Sequence, residues 1–135
     1  MPYSLRFIAA LMVMAVLAAA TSLAVQAQES ARRSRDTAIA LTHGGSPDRG
    51  REAARRYGCG ACHRIAGVPG ATGEVGPSLA GVAKRVELAG RLPNDASSMI
   101  RWIQRPQSIL PGGGMPDTGV TDEDARDLAA YLYTL

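Results

Sequence analysis

The sequence predicts an all-α domain of three or more short helices joined by long loops. Three segments carry recognisable helix start or stop signals, while the glycine- and proline-rich stretches 67–77 and 110–119 lack the alternation of a half-buried strand. Structureless loops of this length are uncommon in a compact domain unless they serve a site.

The chain opens with Arg6, an apolar run over 7–23 and small residues up to Ala27. This is the pattern of an export signal, so residues 1–27 read as a signal peptide that directs the protein to the periplasm. The competing reading is an uncleaved membrane anchor, because the run 7–25 sits at the lower end of membrane-spanning length. Val25 and Ala27, flanking Gln26, form a small-x-small site and favour cleavage before Gln28.

Residues 28–46 are polar, carry Arg32, Arg33 and Arg35, and end in Gly44-Gly45-Ser46, so they read as a linker rather than a packed element. His43 lies there and is expected to be a solvated loop histidine. The remaining residues, 47–135, form one small domain whose apolar core would be marginal unaided.

Ser46-Pro47 starts the first helix of that domain, with serine as cap and proline at the first helical position, and Gly58 stops it after Tyr57. The second runs over 95–104, with Met99, Ile100, Trp102 and Ile103 apolar and Pro106 beyond its end; Met99 reads as core. Thr121 caps the third, acidic residues crowd its positive end, and Ala125, Leu128, Ala129 and Leu132 form its buried stripe.

Charge does little to direct function. A formal excess of +3 is too small to build a nucleic-acid interface. Arg55, Arg56 and Arg64 cluster beside the cysteines, and Asp122, Glu123, Asp124 and Asp127 near the C-terminus; such clusters mark a solvated face or a docking rim.

The chemistry is concentrated in Cys59-Gly60-Ala61-Cys62-His63. C-x-x-C-H is the attachment signature of a c-type haem: two thiols on one turn can each form a thioether, and the next residue supplies an imidazole to the iron. A zinc site would need a second pair of ligands, but the chain has two cysteines and one other histidine. A thioredoxin-like motif would sit among alternating strands and helices, which the surroundings of Cys59 lack. A structural disulfide across so short a loop gains little closure entropy.

An iron that only transfers electrons is best served by two filled axial positions. Beyond the leader the methionines are Met99 and Met115, and Met115 lies in Gly112-Gly113-Gly114-Met115-Pro116, flexible before it and locked after it. Met115 is therefore the expected second metal ligand, opposite His63. His43, Lys84 or an open position are the alternatives.

Together with Gly76-Pro77 and the later Met115-Pro116, the C-x-x-C-H motif makes residues 48–135 resemble a class I monohaem cytochrome c. The stretch 85–115, with Leu92-Pro93-Asn94, Trp102-Ile103 and Pro111, is similar to the cytochrome c domain attached to subunit II of some haem-copper oxidases. The resemblance implies a cytochrome c-like fold with long loops around one covalently bound haem c. It further implies that the Pro77 carbonyl accepts a hydrogen bond from His63, that Arg85 pairs a propionate, and that Trp102 borders the porphyrin. Arg91 and Asn94 would join the propionate side, and Gly50 with Tyr131 would form a helix crossing.

The expected function is electron transfer rather than enzymatic catalysis, by a monomer that meets redox protein partners such as an oxidase or a dehydrogenase. Membrane contact would come through those partners or through an uncleaved anchor. The alternatives are a haem subunit held in a larger complex and an open-site haem enzyme, peroxidase-like or gas-binding.

Overall fold

The computed structural model describes residues 3–135, which divide into two compact units, one ending at Arg33 and the other Ser34–Leu135. Helix α1 (Tyr3–Leu41) supplies the described part of the first unit. Its apolar side chains there are exposed, and it is long and apolar enough to cross a membrane, with mean hydropathy 2.4 over its most apolar window. Export signals and anchors share this composition.

In the second unit, α2 (Pro47–Arg56) and α3 (Ala96–Gln104) both pack on α5 (Asp122–Leu132). A single-turn helix α4 (Pro106–Ile109) follows α3, and 3₁₀ turns occupy Cys59–Ala61 and Val82–Lys84. The three expected helices form, each behind a side-chain cap, with Asp95 capping α3 where the sequence reading places it inside the helix. Ser46 accepts from the Arg49 amide, Asp95 from Ser98 and Thr121 from Asp124, each satisfying an amide that the first helical turn leaves free.

Two expectations need correction. The segment 28–46 is not simply a linker: α1 continues through it to Leu41, and Ala38 and Thr42 are 1% and 0% exposed. Four residues apart, they share one helical face, and the Thr42 hydroxyl donates to the Ala38 carbonyl at 2.7 Å. Gly45 then passes so near α5 that a Cβ there would stand 2.5 Å from the Arg126 carbonyl oxygen. Arg35 pairs with Asp48 at 2.5 Å and holds the Asp48 carboxyl below its usual range. His43 remains exposed, as expected.

The second correction is a minimal hairpin, β1 (Glu87–Leu88) against β2 (Leu92–Pro93), antiparallel with Leu88 opposite Leu92. Its loop carries two successive positive φ angles, at Ala89 and Gly90. Strands of two residues are too short for alternation to register in a sequence.

The core gathers Ile65, Val68, Val82, Leu88, Met99, Ile103, Val120, Leu128, Tyr131 and Leu132 with several alanines. Met99 is core, 2% exposed. At ~1.5–3 kcal/mol for each large aliphatic side chain fully buried, so small a set gives a modest driving force. The α2–α5 crossing is close because Gly50 lacks a side chain: an added Cβ would lie 1.9 Å from the Asp127 carbonyl oxygen and 2.8 Å from Tyr131 Cβ. Tyr131 reaches on to donate its hydroxyl proton to the Ala66 carbonyl, tying α5 to the loop after the C-x-x-C-H motif.

Polar bonds finish the crossing. Asp127, 2% exposed, accepts from the Ser46 amide at 2.7 Å and from Arg49 Nε at 2.6 Å. Asp124 accepts from the Tyr57 hydroxyl at 2.8 Å, the Thr121 hydroxyl at 3.0 Å and Arg56 at 2.5 Å. The Tyr57 bond, followed by those to Thr121 and Arg56, outweighs burial and holds the Asp124 carboxyl below its ordinary value.

A carboxyl with a depressed folded-state pKa stabilises the fold fully above its unfolded value and loses that contribution as pH falls through the folded one. The variant Asp124→Asn should therefore melt several degrees below the wild type at neutral pH, with the gap closing as the pH falls below the ordinary carboxylate range. Thermal melts of both proteins across that range check it; a gap independent of pH would contradict it.

Candidate haem site

The C-x-x-C-H segment follows α2 directly. Gly58, at φ 69°, takes the left-handed turn that ends the helix, and Cys59–Ala61 close a 3₁₀ turn in which the Cys62 and His63 amides both donate to the Cys59 carbonyl. Both thiols are free and half-buried, and burial pushes the Cys59 thiol above its ordinary pKa, keeping it protonated.

His63 is held from two sides. Its Nδ1 lies 2.8 Å from the Pro77 carbonyl oxygen, and because a carbonyl only accepts, Nδ1 carries a proton; in the neutral ring the lone pair is then on Nε2. The ring lies against Gly76, where a Cβ would come within 2.4 Å of Cε1. The Gly76 amide in turn donates to the Cys62 carbonyl at 2.8 Å, fixing the 76–77 strand of loop beside the motif. Thus Cys59, Cys62, His63 and Pro77 come together as one unit.

The other expected site residues are placed less directly. Arg85 is half-buried and donates one N–H to the Ser78 carbonyl, next to Pro77, leaving further donors of its guanidinium. Trp102 is half-buried on α3 and lies outside the core cluster. Met115 is half-buried in its loop, also outside that cluster. Lys84 and Arg91 are exposed.

Asn94, which the resemblance puts on the propionate side, is held by hydrogen bonds within the protein. Its side-chain amide donates to the Val82 and Arg85 carbonyls, both at 2.8 Å, and its oxygen accepts from the Tyr133 hydroxyl at 3.1 Å. It braces the Arg85 segment from behind. Burial, with Asp95 nearby, pushes the Tyr133 hydroxyl pKa up to about 12.

Arg55, Arg56 and Arg64 are exposed and each meets a carboxylate, respectively Glu52, Asp124 and Glu74. The basic cluster is a face of ion pairs, not a bare positive patch. Gln107 was not legible as a site residue, yet its side-chain amide binds the main chain on both sides of Gly114. The sequence signal was slight: a polar amide behind Pro106, five residues before the glycine run.

The residues present fit a haem c: two thiols on one turn, an imidazole with its tautomer fixed and Nε2 available, and a half-buried thioether in a separate loop. A helical domain with this turn is of the class I haem-binding type. The chain belongs to the cytochrome c family, whose description "Cytochrome c" matches residues 47–135.

Two relatives agree. Cytochrome c2 of Rhodoblastus acidophilus is 39% identical over 101 residues, covering 65% of this chain and 91% of that protein. Cytochrome c oxidase subunit 2 of Alkalihalophilus pseudofirmus is 33% identical over 89 residues, covering 65% of this chain but 25% of that larger protein. No solved structure matches the chain. Membership makes this a haem protein of electron transfer.

Proposed function

We propose that the chain is an exported single-electron carrier in which Cys59 and Cys62 tether one haem c and His63 and Met115 ligate its iron. The observation that carries this is the His63–Pro77 hydrogen bond inside the C-x-x-C-H turn, which leaves Nε2 as the ligating atom. Bound there, haem c supplies a one-electron couple and no substrate bond is broken.

The chain's own residues set the terms of that couple. Pro77 raises the basicity of His63 by accepting its Nδ1 proton, and a methionine thioether opposite favours the ferrous state. Arg85, with N–H groups beyond the one given to Ser78, offers a partner to a propionate, and Trp102 would border the porphyrin, as the resemblance implies. The apolar N-terminal helix supports export to the periplasm, by a cleaved signal or a retained anchor.

Redox proteins are the partners. Likeness to a cytochrome c2 and to a segment of an oxidase subunit 2 points to respiratory partners that dock briefly on a small interface. Because the arginines around the motif are individually ion-paired, docking there would depend on shape as much as on charge.

Carbon monoxide tests the ligand set. The ferrous wild type should barely bind it, and Met115→Ala should bind it orders of magnitude faster, with a shifted Soret band. The variant should also lose the weak far-red charge-transfer band of methionine-ligated ferric haem. Rapid binding by the wild type would favour the open-site enzyme reading instead.

A further inference from the structure

We propose that Gln107 is a positioning residue for Met115, clamping the ligand loop so that the thioether stays in place. The inference rests on Met115 being the second ligand.

The loop has little to hold itself. Gly112, Gly113 and Gly114 carry no side chains to pack, Gly112 stands at φ 77°, and no heavy atom approaches within 4 Å of where a Cβ would stand on Gly112 or Gly114. Glycine loses more conformational freedom on ordering than any other residue, so three in a row favour an open, fluctuating loop.

Gln107 opposes that tendency with all of its amide chemistry. Nε2 donates to the Gly113 carbonyl at 2.8 Å and to the Met115 carbonyl at 2.6 Å, and Oε1 accepts from the Gly112 amide at 3.0 Å. One planar group thereby fixes three of the four residues from Gly112 to Met115. A primary amide is suited to this, having two donors and an acceptor in fixed relation.

The clamp is itself anchored. Gln107 sits on α4 behind the buried Pro106, its own amide donates to Asp117 Oδ1 at 3.1 Å, and the Leu110 amide closes the turn onto the Pro106 carbonyl at 2.8 Å. Beyond the methionine, the Thr118 hydroxyl donates to the Ile103 carbonyl at 2.9 Å. The loop is therefore tied to α3 and α4 on both sides of Met115, and Gln107 bonds the Met115 main chain itself.

The test uses the haem-loaded full chain in the ferric state, with imidazole as the entering ligand, and Gly112 amide exchange as a readout independent of the iron. Gln107→Ala should speed imidazole entry at least about tenfold, as losing one to two ordinary hydrogen bonds would. It should also strip protection from the Gly112 amide while α5 amides keep theirs. Gln107→Glu keeps the shape and the acceptor but loses both donors; it should accelerate entry likewise, and it decides the matter if the alanine variant does not accumulate.

Unchanged entry in both Gln107 variants and unchanged Gly112 protection in Gln107→Ala, with fast entry in Met115→Ala, would overturn the clamp and leave the ligand reading intact. Wild-type entry rates and a retained far-red band in Met115→Ala would overturn the ligand reading and the clamp with it.

Discussion

Gly50→Ala should destabilise the domain by more than about 3 kcal/mol, enough to keep much of it from folding at growth temperature. Considered as an isolated helix the change is favourable, since alanine is preferred to glycine by about 1 kcal/mol. Packing reverses the sign. The new methyl would fall 1.9 Å from the Asp127 carbonyl oxygen and 2.5 Å from its carbon, which belong to the backbone of α5 and have no rotamer to adopt.

The helices would have to separate, and the damage would spread. Asp127 would move off the Ser46 amide and Arg49, and Tyr131 would be drawn from the Ala66 carbonyl that it holds beside the haem motif. Thermal melts of the haem-loaded variant check this. A midpoint within a few degrees of the wild type would mean that α2 and α5 do not cross at this distance.

Gly76→Ala should act on the site and leave the helical core standing. Its methyl would meet the imidazole face, 2.4 Å from Cε1, 2.7 Å from Nδ1 and 2.9 Å from Nε2. His63 would have to swing aside and surrender the Pro77 carbonyl. Losing an outer partner of a metal-bound histidine weakens ligation about 10–100-fold, so a high-spin ferric population should appear where the wild type is low-spin. An unaltered low-spin spectrum would show that His63 is not held between Gly76 and Pro77.

The two glycines illustrate what a sequence discloses. Gly50 inside a capped helix is a fault of propensity that asks for a close neighbour, and Tyr131 on the last helix answers it. Gly76-Pro77 drew notice as a pair, but its use depends on the 3₁₀ turn that lays the His63 ring against it. The first and third helices were legible from their side-chain caps, Ser46 and Thr121, and the second from its apolar residues and the proline beyond its end, whereas the capping role of Asp95 emerged only from the structure.

Where signals were short or chemically ordinary, the sequence was silent. The end of α1 packs through Ala38 and, just past it, Thr42, two small residues, while the larger Ile39 and Leu41 stay exposed, so hydropathy cannot reveal which face packs. The hairpin turns through Ala89-Gly90 without the asparagine or aspartate that usually announces such a turn. Asn94 and Gln107 are amides in polar stretches, and their roles exist only once distant carbonyls converge on them. Long-range polar bonds of this kind have no periodicity to read.

The most direct test of the whole account is extraction of the purified protein with acidified organic solvent, followed by its intact mass. Pigment that stays with the polypeptide, at one haem per chain and lost in Cys59→Ala/Cys62→Ala, is the predicted result. A colourless protein, or a pigment that washes free of the chain, would contradict it.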